Sequence, residues 1–287
     1  MNWIKDPLTL KKIQRFRSIK RGYFSFLLLI FLIGLSLVSE LLINNRALLV
    51  RYNGSTYFPT YGAIIPGTTF GLDYEHETDY RDLQKKFAGE KEGNFVLMPV
   101  VPYSPNESDY VKESFPPYAP SAKHFLGTDS SGRDILARLF YGFRIAIFFS
   151  MLLLVISYAI GITVGCMMGY LGGRFDLIAQ RVIEIWSNIP TLYLIIIVAS
   201  VIPPSFTVLL VIMIFFYWVS MTWYMRTATY KEKTREYILA AKALGAGHGR
   251  IIFSHIIPNT ISIIVTFMPF TVASGITALT ALDYLGF

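Results

Sequence analysis

"IWSNIPTLYLIIIVASVIPPSFTVLLVIMIFFYWVSMTWYM", Ile185 to Met225, runs for 41 residues without a charge. As a single helix it would be about 60 Å long, twice the roughly 30 Å of a bilayer's hydrocarbon core. Pro203 and Pro204 stand near its middle, and adjacent prolines lack the amide hydrogens and the backbone freedom that continue a helix. The run is therefore expected to be a hairpin of two spans, about 190–202 and 207–224.

Three more uncharged runs lie outward from it. Ile145 to Gly173 holds 29 residues, and Ile256 to Leu282 holds 27, with Pro258 near its start and Pro269 inside. Gly22 to Ser39 holds 18, longer than the apolar part of a secretory signal and followed by no A-x-A site, so an uncleaved anchor is expected. Five spans result: a first helix at 22–43, then about 145–169, 190–202, 207–224 and 256–282. The composition agrees, with 53% hydrophobic and 16% charged residues among 287, and the fold class is an all-α integral membrane protein. The one cysteine, Cys166, sits inside an apolar run, where it serves as a small packing residue rather than as part of a disulfide framework.

Charge orients the spans. Residues 1–21 carry Lys5, Lys11, Lys12, Arg15, Arg17, Lys20 and Arg21 against Asp6, and a cationic flank beside a first span stays in the cytoplasm. Five crossings then place residues 44–140 outside and the loop 225–255 inside. That inner loop has Arg226, Lys231, Lys233, Arg235, Lys242 and Arg250 against Glu232 and Glu236, a net of +4, whereas 44–140 has ten cations and twelve anions. The excess positive charge is thus topological, and no nucleic-acid partner is expected. Pro59, Pro66, Pro99, Pro102, Pro105, Pro116, Pro117 and Pro120 break up the outer segment, which reads as a small extracytoplasmic lobe of loops and short strands.

Enzymatic chemistry is not visible. His76, His124, His248 and His255 fall at no metal-ligand spacing, and there is no G-x-x-x-x-G-K-[ST] loop, so the chain is not expected to hydrolyse ATP. Glu40, Arg144 and Asp283 stand at span ends, where they read as interfacial anchors.

The inner loop contains "EYILAAKALGAGHGRIIFSHIIPN", Glu236 to Asn259. Thr234 is placed to cap a helix whose first turn holds Glu236 and whose last turn holds Lys242, each complementing the helix dipole. Gly245 is its expected stop. A helix of about ten residues results, with Ala240, Ala241 and Leu244 on one side, small enough to let another surface approach closely.

That pattern resembles the EAA motif of ABC importer permeases, which runs Glu-Ala-Ala, three residues, Gly, and on to Leu-Pro. Leu239, Ala240, Ala241, Gly245, Ile257 and Pro258 occupy those places, with Leu239 for the usual glutamate. "FLGTDSSGRDILARLFYGFRIAI" (Phe125 to Ile147) and "LDYLGF" (Leu282 to Phe287) are similar to C-type dipeptide and oligopeptide permeases, and "RALLVRYNGSTYFP" (Arg46 to Pro59) to the outer lobe of their Yej-type branch.

The resemblance implies a type I ABC importer permease fold in the bacterial inner membrane, with the N-terminus cytoplasmic. It implies import of peptides delivered by a periplasmic peptide-binding protein, and a second B-type permease subunit as partner. Two ATPase domains would bind ATP and magnesium, with no cofactor in this chain itself. They would couple through Glu236, Leu239, Ala240, Ala241, Leu244, Gly245, Ala246 and Gly247. The family norm is six spans, so the five read here carry the expectation that the C-terminal end of the fold is lacking.

Overall fold

A computed structural model describes residues 14, 16–90, 93–110 and 114–287, and the chain divides into two compact units, 1–144 and 145–287. Lys5, Lys11, Lys12 and Arg15 of the basic segment lie outside the described residues.

The first unit opens with helix α1, Lys20–Leu37, which leaves nearly all of its apolar surface uncovered by the rest of the chain. The lobe then forms a three-stranded antiparallel sheet from β1 (Leu49–Tyr52), β2 (Ser55–Tyr57) and β3 (Phe95–Leu97), in the order β2-β1-β3. β1 and β2 meet at Asn53 (φ 47°) and Gly54 (φ 82°), the two left-handed residues that a two-residue hairpin requires. Val50 pairs with Tyr57 on one side and Val96 on the other. Helix α2, Tyr80–Glu90, is an element that the proline-rich reading did not foresee. Its Tyr80, Leu83 and Phe87 fall on one face and close a core with Val50, Phe70 and Val96, while Tyr52 stacks on Phe87.

Polar pairs complete the lobe. Arg46 meets Glu77, Arg81 meets Glu107, and Arg144 meets Glu40 at 3.1 Å. His124, 3% exposed, lies between two carboxylates, with Nδ1 2.8 Å from Asp134 and Nε2 3.0 Å from Asp109. Lys123 reaches the same Asp109 oxygen. Burial pushes the Asp109 carboxyl up, but the bonds from Lys123 and His124 outweigh it and hold the group below its ordinary value.

Helix α3, Ile135–Leu171, runs on into the second unit. A left-handed pair, Gly172 and Gly173, turns the chain into α4, Gly173–Ser187, which lies between the expected spans 145–169 and 190–202. After Pro190 comes α5, Thr191–Val201. At 11 residues α5 is about 16 Å long, half the thickness of a hydrocarbon core, so it cannot cross alone as the expected span 190–202. α4 and α5 form a pair bent by 64°. Among the described residues four helices are long and apolar enough to cross, and the bent pair makes up to five.

Pro203 and Pro204 precede α6, Phe206–Glu232, whose N-terminus is capped by Ser205 Oγ accepting from the Val208 amide. The loop helix α7, Glu236–Ala243, follows. The chain then enters α8, Ile257–Tyr284, through a helical turn at His248–Arg250 and a π turn at Ile251–Ile256. Pro258 has no amide hydrogen for the carbonyl four residues earlier, and the wider turn is how the chain passes it.

Three glycines set the packing of this unit. Gly161, Gly165 and Gly169 recur every fourth residue along α3, and a Cβ on any of them would lie within 2.6 Å of a carbonyl oxygen of Trp218, Thr222 or Arg226 on α6. The two backbones touch along three turns, the arrangement that small residues at i, i+4 permit in membranes. Around this seam Leu154, Tyr158, Cys166, Met221, Met225 and Ile264 are buried. Of the small and hydroxylated residues on α8, Gly275 packs on Ser150 and Leu153, and Thr271 bonds Tyr158. Thr266, Thr277 and Thr280 are exposed and donate to their own helix.

Candidate functional site

The loop between α6 and α8 is built around one buried anchor. Ile238 of α7 is fully buried against Ile251, Ile252 and Ile256, so the π turn that Pro258 imposes also forms the seat of the loop helix. The N-cap is Arg235, with no side-chain cap bond. Thr234, expected to cap, instead donates to the Lys231 carbonyl at 2.9 Å, and α7 is shortened to eight residues. The first and last turns carry Glu236 and Lys242, as the dipole favours.

The C-terminus closes in a Schellman motif. The Ala246 amide donates to Ala241 O and the Gly245 amide to Lys242 O, with Gly245 at φ +79°. A Cβ at Gly245 would meet open space, so the need for glycine there is conformational rather than steric. Ala246 packs inward against the core. Lys242 Nζ lies 5.5 Å from the centre of the Tyr170 ring, and His248 Nδ1 is 3.4 Å from its hydroxyl, tying the far end of the loop to the end of α3. Tyr237 donates to Glu232 at 2.6 Å. Burial first, and then this bond to a carboxylate, push its phenol up to about 12.

What remains uncovered is apolar. Leu239 is 53% exposed and Leu244 89%, and Ala240 and Ala243 are exposed between them, with Glu236 and Gly247 at the rim. Ala241 is half-buried, on the flank of the helix nearer Ile238, so the outward face is Leu239, Ala240 and Leu244 rather than the expected Ala240, Ala241 and Leu244.

Below this loop stands a polar cluster that sequence reading missed. Asp176 on α4, 4% exposed, accepts from Arg226 Nε at 2.6 Å and Nη2 at 2.7 Å, and from the Tyr230 hydroxyl at 2.6 Å. Gln180 adds a longer bond, and Lys233 Nζ donates to the Gly169 carbonyl. A bidentate pair of this kind fixes α4 to α6 with defined geometry. Sequence reading leaves Asp176 between the expected spans 145–169 and 190–202 and counts Arg226 only as topological charge. A carboxylate so close to an apolar run is the available signal, but its partner stands 50 residues away. Among the described residues there is no group of three or more His, Cys, Asp or Glu that could hold a metal ion.

Residues 161–287, which hold α7 and its seat, match the family described as the binding-protein-dependent transport system inner membrane component. The chain is 40% identical over 282 residues to the inner membrane ABC transporter permease protein YejE of Escherichia coli (strain K12), covering 98% of this chain and 82% of that protein. It is 36% identical over 311 residues to the peptidoglycan transport system permease protein YejE of Agrobacterium fabrum, covering 98% and 80%. The match to the dipeptide transport system permease protein DppC of Bacillus subtilis is 35% over 185 residues, covering 64% of this chain and 57% of that one. With such relatives aligned along 98% of this chain, it belongs to the binding-protein-dependent transport system inner membrane components, in the branch typified by YejE.

Proposed function

We propose that this chain is the membrane-embedded permease subunit of a peptide importer, driven by ATP that separate subunits hydrolyse and coupled to them through α7. The observation that carries the coupling assignment is the outward apolar face of Leu239, Ala240 and Leu244 on a helix whose opposite side is pinned by the buried Ile238. A helix held on one side and apolar on the other transmits displacement. Pushing α7 moves Ile238, and Ile238 bears on the π turn that leads into α8.

The partners follow from the assignment: two ATPase domains that bind ATP and magnesium, a second permease subunit, and a periplasmic binding protein that delivers the peptide. Peptide is favoured as cargo because the dipeptide and oligopeptide permease proteins DppC and OppC of Bacillus subtilis stand beside the YejE proteins among its relatives. The N-terminus and the loop 225–255 lie in the cytoplasm, as the +4 charge of that loop favours.

The test enlarges the outward face without disturbing the anchor. Ala240→Trp adds a bulky ring where the chain itself leaves room, and overpacking at a close interface typically costs about 1–3 kcal/mol, roughly a five- to hundredfold loss in docking. The variant is expected to reach the membrane at normal levels and to recover less ATPase subunit on purification. Peptide uptake falls with it. Wild-type uptake by Ala240→Trp would return α7 to a simple connector.

A further inference from the structure

In the second unit, α3, α6 and α8 line an open-sided cavity of about 250 Å³. It lies at mid-height of the apolar runs, since Tyr158 is near the centre of 145–173 and residues 267–274 near the centre of 256–282. Tyr158, Tyr217, Ser220, Tyr224, Thr271 and Ser274, all hydroxyl-bearing, are among the residues that line it, and among the described residues no charged side chain does. Phe267 stacks on Tyr224 with ring centres 3.9 Å apart, giving the cavity one flat aromatic wall.

Only part of this hydrogen-bonding capacity is used within the chain. Tyr158 and Thr271 bond each other at 2.8 Å, and Tyr217 reaches the Ser274 carbonyl at 3.5 Å, the limit of a hydrogen bond. Elsewhere on these helices Ser157, Thr222, Thr266 and Thr277 donate to the carbonyl one turn before. Ser220, Tyr224 and Ser274 do not, and among the described residues their hydroxyls have no hydrogen-bond partner. All three are exposed on the surface of the chain. Polar groups at this depth are costly against lipid and are tolerated where they face a water-filled path or a polar occupant.

Resting on the reading of this chain as a peptide permease, we infer that the cavity is a contact point for the main chain of the peptide in transit. A hydroxyl both donates and accepts, so a cluster of them serves amide N–H and C=O groups in either chain direction and whatever the side chains. The wall formed by Tyr224 and Phe267 receives one side chain of any apolar or aromatic kind. The charged ends of a peptide find no counter-ion here and would be desolvated without compensation. The site therefore takes an interior stretch of the peptide, and its volume, below the range of pockets that enclose a whole small ligand, suits a segment.

The experiment uses the assembled transporter with its partner subunits, in vesicles, and radiolabelled trialanine. Tyr217→Phe, Ser220→Ala and Ser274→Ala together remove three hydroxyls with little change of volume. We expect trialanine uptake to fall at least tenfold, with complex recovery and basal ATP hydrolysis within twofold of wild type. A second measurement reads the site directly: Ser220→Cys should react with a hydrophilic thiol reagent in the assembled transporter, and trialanine with ATP should slow that reaction. The wild-type chain, whose single cysteine is buried, is the control. Uptake within twofold of wild type in the triple variant would overturn the inference. So would loss of the partner permease from the triple variant, or a Ser220→Cys variant that does not react, either of which assigns the cavity to a subunit interface. A wild-type transporter that takes up no trialanine would instead strike at the peptide reading itself and carry the inference with it.

Discussion

Gly165 is the residue on which the second unit turns. A Cβ there would come within hard-sphere contact of Thr222 O, Met225 Cβ and the Arg226 amide nitrogen, two of them backbone atoms that cannot rotate away. Gly165→Ala is therefore expected to cost at least about 3 kcal/mol, the upper end for overpacking, against the small gain that alanine otherwise brings to a helix. Gly34→Ala, inside α1 where nothing lies within 4 Å, should show only that gain and leave the protein at least as stable as before. Thermal unfolding of both variants in detergent separates the two effects. Asp109 offers a pH test in the lobe. Its carboxyl is held below the ordinary 3.8 by Lys123 and His124, so its stabilising contribution is complete above that value and is lost as pH falls through the lower folded one. Asp109→Asn should weaken amide protection around residues 121–134 at about pH 6, and the difference from wild type should vanish well below 3.8. A difference that persists unchanged in acid would mean that the carboxylate is not what holds this segment.

At the scale of elements, α7 and the Asp176 cluster make separable predictions. Gly245→Val places a β-branched residue at φ +79°, a conformation such residues avoid, although no neighbour obstructs the side chain. The strain falls on the Schellman turn, so the last turn of α7 should fray and coupling should fail while the spans remain folded. Normal hydrogen-exchange protection of the Gly245 and Ala246 amides in the variant would argue against it. The Asp176–Arg226 pair ties α4 to α6. Removing one member of a buried pair leaves the other uncompensated, commonly at about 3–5 kcal/mol. Asp176→Asn alone and Arg226→Gln alone should each lower the unfolding temperature clearly. The double variant should be less damaging than the sum of the two, and strict additivity would show that the contact contributes no coupling energy.

For the whole molecule the prediction is topological. The loop carrying His248 and the lobe carrying Phe115, 92% exposed, are expected on opposite sides of the membrane. His248→Cys should be labelled only from the cytoplasm and Phe115→Cys only from outside, by an impermeant thiol reagent on intact and inverted vesicles. Labelling of both from one side would remove a crossing from the chain, and the bent pair α4–α5, the least conventional of the candidate spans, would be the one to lose it.

How much of this was legible beforehand follows from the range of the interactions concerned. Composition, uncharged runs and paired prolines are local, and they are enough for an all-α membrane protein with a helix break at Pro203 and Pro204, but not for the bent pair α4–α5 that stands where a simple span 190–202 is expected. The loop motif located α7 and its stop, because a helix end obeys residues within one turn of it. Thr234 has the position of a cap, but two candidate partners compete for its one hydroxyl, and it donates to the carbonyl of Lys231. α4 was invisible since its charges look like a loop until Asp176 is seen to meet Arg226. The glycine seam was present in the sequence as a four-residue repeat, yet only the fold could show that its partner is the backbone of α6 rather than lipid. Charge and hydropathy along the chain thus marked the long apolar helices α1, α3, α6 and α8. Which side chains meet was decided by tertiary packing, because those contacts join residues 50 or more positions apart whose attraction depends on burial that no single segment possesses.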